Sequence, residues 1–321
     1  MGKKPAEIEL SLICVNYRSA GNIDALINTL GAGMLDAGWE MIIADNDASS
    51  GELEKFSAIS RSARVIDSGG NVGFAAGVNI AAREASGDFI LLINPDVKVE
   101  FERLKTLIET ARELIDRLGC IGGRATDATG NPVGCWGDFP TPRQAARAFC
   151  VLPFLRGDAA DRQTRTVDST FSAGAPFEVD FPTGALFLTP AMLFRALGGL
   201  DERYFLYFEE VDYAMRCRQQ GRLNYLAPAV DYVHESGQSF GMEPSGAQFK
   251  YWLESLHAYL SRHYGPLNAE NTVRSIRKSA SIRLALLAIK ADNVKRERWS
   301  GVVSACDGLL EKEVVEAVPE A

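Results

Sequence analysis

Residues 8–15 read Ile-Glu-Leu-Ser-Leu-Ile-Cys-Val, and the polar stretch Asn16-Tyr17-Arg18-Ser19 follows them directly. A short apolar run that ends in polar residues is typical of a strand buried inside a parallel sheet. Apolar residues at helical spacing extend from Ile23 to Leu30, and a second apolar run, residues 41–44, leads into Asp45-Asn46-Asp47. The chain therefore opens with a strand, a helix and a second strand.

The same alternation continues to residue 96. Residues 64–67 are predicted to form a third strand, and the Gly-rich residues 69–77 lead into a helix that ends near Ala85. Residues 89–93 form a fourth strand that ends at Asn94-Pro95-Asp96. Strands alternating with helices predict an α/β fold with a mostly parallel central sheet and helices on both faces.

Polar residues follow three of these strands. Ligands of open α/β sheets bind beyond the carboxyl ends of the strands, where Asn16, Asp45 and Asp96 stand. The Gly-rich stretch fits neither G-x-G-x-x-G nor the P-loop pattern, which argues against nicotinamide and P-loop chemistry.

The second half of the chain is less regular. Prolines and glycines interrupt residues 126–178, which we interpret as a loop-rich insertion near the active face. Residues 177–188 are predicted to be a strand interrupted at Pro182-Thr183-Gly184. A helix is expected from the acidic residues 209–212 to Gln220, one or two strands then end at His234, and helices follow from Pro244.

The composition excludes several classes of protein. The 321 residues are 46% hydrophobic and 24% charged, which excludes a disordered or collagen-like chain. The 34 basic and 42 acidic residues give a net charge of −8, which argues against a nucleic-acid-binding protein. Six cysteines without a C-x-x-C pair suggest buried thiols in a reducing compartment, and neither a zinc site nor a disulfide framework. Residues 1–9 lack the layout of a secretory signal, so we expect a cytoplasmic protein.

Residues 271–300 are locally basic, with eight basic and two acidic residues among several aliphatic ones. Such a helix either makes a peripheral contact with the inner face of the membrane or is an ordinary surface helix packed on the domain.

Seven short motifs occur in a fixed order along the chain. They are Val15-Asn16-Tyr17-Arg18-Ser19, Asp45-Asn46-Asp47-Ala48-Ser49, Asn71-Val72-Gly73-Phe74-Ala75-Ala76-Gly77-Val78-Asn79, Leu91-Leu92-Ile93-Asn94-Pro95-Asp96, Thr183-Gly184-Ala185, Phe205-Leu206-Tyr207-Phe208-Glu209-Glu210-Val211-Asp212 and Val233-His234. Together they resemble glycosyltransferase family 2, the inverting nucleotide-sugar enzymes of the Rossmann-like GT-A fold, and its rhamnosyltransferase-like branch in particular.

The resemblance implies a GT-A domain over residues 1–242, followed by a helical extension over residues 243–321. Within the domain it implies a nucleotide-binding half (1–125), the insertion (126–178) and an acceptor or catalytic half (179–242).

For the metal, the resemblance implies Mg²⁺ or Mn²⁺ held by Asp96, with His234 as a further ligand of the metal or the diphosphate. Asn94 stands where family members with an Asp-x-Asp motif have its first Asp. Fewer protein charges would therefore contact the metal ion, and activity without a metal is the alternative. The alternatives are that Asp96 stabilises the turn after Pro95 and that His234 is structural.

For the acceptor, the resemblance implies that Glu210 is the catalytic base, with Asp212 next and Glu209 as a further candidate. Alternatively, these residues only complement the dipole of the helix that they begin. For the nucleotide, Asn16, Tyr17, Asp45, Asn71 and Phe74 are implied to line the base pocket, unless they only cap loops. Gly184 would let the backbone approach the sugar closely.

The predicted function is that of a hexosyltransferase in cell-surface polysaccharide synthesis. It would move rhamnose from dTDP-rhamnose, or a sugar from a UDP-sugar, to a glycan or lipid-linked acceptor with inversion. Two alternatives stay open, namely a sugar-nucleotide or polysaccharide-binding protein without turnover and a sugar-phosphate nucleotidyltransferase.

Overall fold

The computed structural model describes residues 8–31, 33–55, 63–151, 164–167, 174–234, 246–289 and 293–316. These residues divide into two compact units. The first contains the described residues of 1–139, 164–202 and 209–239, and the second contains those of 140–163, 203–208 and 240–321.

The first unit is built on one large sheet. The bounds of its strands are β1 Leu10–Asn16, β2 Trp39–Asp45, β3 Arg64–Asp67, β4 Phe89–Ile93, β5 Val97–Lys98, β6 Leu118–Thr126, β8 Phe177–Val179, β10 Leu186–Pro190 and β11 Leu223–His234. Their order in the sheet is β3-β2-β1-β4-β10-β6-β11-β5, with β8 also paired to β11. A separate two-stranded sheet pairs β7 Trp136–Gly137 with β9 Phe181–Pro182. Helices of this unit are α1 Ala20–Leu30, α2 Gly33–Asp36, α3 Phe74–Arg83, α4 Phe101–Glu113, α6 Ala191–Ala196 and α7 Glu209–Gln219.

The sheet is mixed. The strands β3, β2, β1 and β4 are parallel, as are β6 and β11. β10 runs antiparallel between β4 and β6, and β5 and β8 run antiparallel to β11. Every residue of β1 and β4 is buried, which explains their continuous apolar sequences. The predicted α/β fold is confirmed.

Two predictions about the second half of the chain need correction. Residues 177–188 do not form one interrupted strand, because β8, β9 and β10 pair with different partners. Within the predicted loop-rich region 126–178, residues Pro142–Ala148 form a helix, α5, which belongs to the second unit. Thr141 and Gln144 form a capping box at its start, in which each side chain satisfies a free backbone N–H group.

The second unit is helical and contains α5, α8 Gly246–Tyr264, α9 Pro266–Ile289 and α10 Asn293–Glu316. Aromatic side chains form its centre, where Trp252 packs against Phe149, Phe208 and Phe249. Trp252 is therefore a core residue. Among the described helices, none combines the length and apolarity needed to span a bilayer.

Candidate active site

The candidate site lies in the first unit, at the carboxyl ends of β1, β2 and β4. Asn16 and Asp45 are register partners at the ends of β1 and β2. The Asn16 amide donates from Nδ2 to Asp45 Oδ1 at 2.7 Å, and the Asp47 backbone N–H donates to the same oxygen at 3.0 Å. Both Asn16 and Asp45 are buried, so these hydrogen bonds fix the orientation of the carboxylate.

Asn46 lies next to this pair, since its backbone N–H donates to the Asn16 carbonyl at 2.9 Å, and it is not among the residues predicted from the sequence. Its side chain is buried and donates from Nδ2 to the Gly73 carbonyl at 3.0 Å. A Cβ placed on Gly77 would lie 3.1 Å from Val15 Cγ1 and 3.3 Å from Asn46 Oδ1. Glycine at 77 therefore allows α3 to approach the strand ends closely. The motif Asp45-Asn46-Asp47 was the available signal for this residue.

The remaining residues expected at the nucleotide are less enclosed. Asn71 is exposed, and its Oδ1 accepts from the Gly73 backbone N–H at 3.3 Å and from Asn46 Nδ2 at 3.4 Å. Phe74 is the first residue of α3 and is half-buried. Tyr17 is 44% exposed beyond the end of β1.

The two expected metal ligands are neighbours. Asp96 lies in the turn between β4 and β5, and β5 pairs antiparallel with the end of β11, so that His234 is the register partner of Val97. As a result His234 Nε2 lies 3.4 Å from Asp96 Oδ1. The His234 side chain is 6% exposed and that of Asp96 is 20% exposed.

A third motif is attached to this turn. The Asn94 backbone N–H donates to the Ala185 carbonyl at 3.0 Å, which places residues 183–185 beside residues 94–96. A Cβ on Gly184 would lie 3.7 Å from Cβ, Cγ and Cδ of Glu210. The four motifs that contain Asp96, His234, Gly184 and Glu210 therefore form one continuous group at the edge of the sheet.

Glu209 and Glu210 begin α7 and are 6% and 5% exposed. Burial raises the pKa of both carboxyl groups because it removes the water that stabilises the charged form, and the charge of Glu210 raises the pKa of Glu209 further. Hydrogen bonds from backbone N–H groups, including that of Gly184, lower the pKa of Glu210 and so partly offset the effect of burial. In the part of the chain that the structure describes, the Oε2 atoms of both glutamates are buried without a hydrogen-bond partner. Buried polar atoms are normally paired, so these oxygens are suited to receive groups of a ligand.

Asp212 has a different environment. It is fully buried, and Arg216 donates from Nε to its Oδ2 at 2.7 Å. The same guanidinium donates to the carbonyls of Leu197 and Gly199, both at 2.8 Å. Asp212 therefore orients Arg216, whose hydrogen bonds to these carbonyls connect α7 with the turn after α6.

Two side chains of this group have the chemistry of ligands for a divalent cation. Within the described ranges, no group of three or more His, Cys, Asp or Glu side chains has the arrangement of a metal site. The carboxylate of Asp96 and the imidazole of His234 supply two ligands. Mg²⁺ sites commonly combine one or two carboxylates with phosphate oxygens of the substrate, so the pair fits a cation that binds together with a diphosphate.

The fold is that of the GT-A glycosyltransferases. A mannosyltransferase from Pyrobaculum calidifontis, solved with GDP-Man and Mn²⁺, superimposes with a TM-score of 0.51 at 13% identity over 94% of this chain and 89% of that one. TarS residues 1–349 of S. aureus, solved with UDP, superimpose with a TM-score of 0.50 at 13% identity. The match covers 97% of this chain and 93% of the TarS chain. GalNAc-T7, solved with UDP, GalNAc and Mn²⁺, gives 0.51 at 14% identity over 84% of this chain, and the match spans 55% of the GalNAc-T7 chain.

Residues 11–145 match the family model described as glycosyl transferase family 2, in agreement with the predicted family and with a glycosyltransferase. The chain is similar to the low-salt glycan biosynthesis hexosyltransferase Agl10 of Haloferax volcanii, with 27% identity over 70% of this chain and 67% of the relative. It is also similar to the N-acetylglucosaminyl-diphospho-decaprenol L-rhamnosyltransferase of Mycobacterium tuberculosis, with 24% identity over 80% of this chain and 85% of the relative. The rhamnosyltransferase WbbL of Escherichia coli is 27% identical over 61% of this chain and 72% of WbbL.

Proposed function

We propose that the chain is an inverting glycosyltransferase that moves one sugar from dTDP-rhamnose or a UDP-sugar to a glycan or lipid-linked acceptor in cell-surface polysaccharide synthesis. The observation that carries the proposal is the contact between Gly184 and Glu210 beside the pair of Asp96 and His234. One edge of the sheet thus combines a candidate proton acceptor with candidate ligands for the leaving diphosphate.

The donor is proposed to bind across the ends of β1, β2 and β4. Asp45 accepts a hydrogen bond from the N3–H of a pyrimidine base, and Asn16 keeps the carboxylate in position. Asp96 and His234 would hold Mg²⁺ or Mn²⁺. When bound, this cation would supply positive charge that stabilises the leaving nucleoside diphosphate.

The acceptor is proposed to react beside Glu210. Its carboxylate removes the proton of the acceptor hydroxyl as the acceptor oxygen bonds to the anomeric carbon and the bond from that carbon to the donor phosphate breaks. A base works best when its pKa lies near the working pH, and burial moves the pKa of Glu210 upward in that direction. Because Asp212 is held in a buried ion pair, we assign it a structural role and assign the base to Glu210.

The printed names of the relatives support the choice of substrates. Those from M. tuberculosis and E. coli are named as rhamnosyltransferases, and the M. tuberculosis name specifies an acceptor linked through diphosphate to decaprenol. The H. volcanii relative is named as a hexosyltransferase of glycan biosynthesis.

The test compares wild-type protein, Glu210→Gln and the matched control Glu113→Gln, which changes an exposed residue on α4. Nucleotide sugars that stabilise the wild type in a thermal-shift panel, with and without Mn²⁺, are taken into transfer assays. Glu210→Gln should bind the donor normally and lose about 10²–10⁴-fold in turnover, whereas Glu113→Gln should behave like the wild type.

Product analysis separates the proposal from the nucleotidyltransferase alternative. Glycosyl transfer releases a nucleoside diphosphate, whereas nucleotidyl transfer releases inorganic diphosphate. Near-native turnover of Glu210→Gln would remove the assigned base. Failure of every nucleoside diphosphate and nucleotide sugar to stabilise the wild type would contradict the proposed donor class.

A further inference from the structure

Helices α9 and α10 form an antiparallel hairpin within the second unit. The Arg277 side chain pairs with Asp307, and the Arg283 guanidinium lies 4.4 Å from the centre of the Trp299 ring. Each contact joins two residues that lie about equally far along the chain from the connection between the helices. Residues 278–289 and 293–306 therefore lie at the same end, which we call the hairpin tip. Lys290 and Asp292, which belong to the basic segment identified in the sequence, lie outside the described residues.

Charge is unevenly distributed along the hairpin. The described residues of the hairpin tip include five basic residues and one acidic residue. The opposite end, residues 266–277 and 307–311, includes two basic and three acidic residues. The positive charge of the hairpin is therefore concentrated at its tip.

The hairpin tip also exposes aliphatic side chains. Ile282 is 44% exposed and Leu286 is 48% exposed. They lie one helical turn apart on the same face of α9, and the exposed Lys278 precedes Ile282 by one turn. Arg296, near the start of α10, is also exposed. Exposed aliphatic residues beside Lys and Arg are typical of helices that bind at the surface of an anionic bilayer.

We propose that the hairpin tip docks on an anionic phospholipid bilayer, with Ile282 and Leu286 entering the headgroup region and Lys278 and Arg296 contacting lipid phosphates. Charge complementarity selects this partner, because each Lys or Arg near an anionic surface contributes attraction. This contact rests on the proposed function for its biological role, because a docked enzyme would meet a lipid-linked acceptor at the membrane.

The test is sedimentation of the full chain with vesicles of phosphatidylcholine alone or mixed with phosphatidylglycerol. Binding is expected only with the anionic vesicles and should weaken as salt is raised. Ile282→Ser with Leu286→Ser should lower the partition coefficient about tenfold through lost apolar insertion. The matched control is Leu267→Ser, which removes a residue that is 68% exposed at the other end of α9 and should change partitioning less than about twofold.

Charge is tested separately. Lys278→Glu with Arg296→Glu should lower binding at least about tenfold, because each basic residue contributes about a fivefold factor. Lys105→Glu with Arg112→Glu on α4 makes the same change in net charge away from the hairpin tip and should have a much smaller effect. Circular dichroism checks that each variant is folded.

Equal binding to neutral vesicles, or equal effects of the tip variants and their controls, would overturn the proposal. Association of the tip with a second copy of the chain that does not depend on vesicles would do the same. Because no donor or acceptor is present in the assay, a negative result would leave the proposed transferase activity untouched. Near-native turnover of Glu210→Gln, which would remove the assigned base, would likewise leave the membrane contact untouched.

Discussion

Replacing Asp212 with Asn removes the negative charge from a buried ion pair. The Asp212 side chain is fully buried, that of Arg216 is 8% exposed, and the Nε to Oδ2 distance is 2.7 Å. The variant leaves the guanidinium buried without this counter-charge. Breaking such a pair from one side costs about 3–5 kcal/mol. The carbonyls of Leu197 and Gly199 still accept hydrogen bonds from Arg216, so we expect a value near the lower limit, about 3 kcal/mol.

Thermal unfolding followed by circular dichroism measures this loss. For a unit of about 200 residues, the size of the first unit, each kcal/mol lowers Tm by about 2–4 °C, so the expected decrease is about 6–12 °C. Asp116→Asn is the control, because it makes the same chemical change at an exposed position and should stay within about 0.5 kcal/mol of the wild type. The double variant with Arg216→Gln should be less destabilised than the sum of its single variants, since contacting residues are coupled.

Activity measured well below the lowered Tm separates a structural role from a catalytic one. Asp212→Asn should retain turnover within about tenfold of the wild type, whereas removal of the base should cost about 10²–10⁴-fold. The reasoning is refuted if Asp212→Asn abolishes turnover while Tm stays unchanged. In that case Asp212, and not Glu210, would be the better candidate for the base.

Three further predictions concern the same edge of the sheet. Gly184→Ala should leave Tm within about 2 °C, because its Cβ would make only ordinary van der Waals contacts at 3.7 Å, but initial-rate assays should show a loss of more than about tenfold from crowding at the base. Gly122→Ala should destabilise by about 1–3 kcal/mol in urea unfolding, since its Cβ would lie 2.6 Å from a proline Cβ, and an unchanged midpoint would contradict the described packing. Glu209→Gln replaces a buried carboxyl group, whose pKa is raised by burial and by the charge of Glu210, with a neutral amide. A carboxyl group with a raised pKa costs stability as the pH rises from its unfolded value through its folded value, so this variant should melt higher than the wild type at alkaline pH in thermal unfolding.

The nucleotide-binding half was predictable because its signals are local. Parallel strands buried on both faces read as apolar runs, and the polar residues that follow mark their carboxyl ends. The sequence therefore indicated that Asn16 and Asp45 lie at one edge, and their paired register confirms that they are adjacent. Helix α5 also has a local signal, since Thr141 and Gln144 have the spacing of a capping box, but the neighbouring prolines favour a loop.

The second half could not be predicted at the same level because its strand pairings are distant in sequence. A run such as residues 177–188 shows where extended backbone is favoured, but the choice of partner depends on the rest of the sheet. β11 is a further example. It is a single strand of 12 residues that pairs with β6, and its register shifts between Ala227 and Asp231. No local pattern indicates this shift or the pairing of its last residues with β5.

The direction of β10 explains why the candidate base and the candidate metal ligands share an edge. β4 ends at the edge that holds Asp96, and a parallel β10 would have started at the opposite edge. Because β10 is antiparallel to β4, with Leu186 as the register partner of Ile93, the residues before β10 meet those after β4. Gly184 therefore lies between the Asp96 turn and Glu210, and β5 brings His234 to the same turn through its pairing with β11. The order of the motifs along the chain is compatible with either direction of β10. The antiparallel pairing of this strand is therefore what brings the separate motifs together at one candidate site.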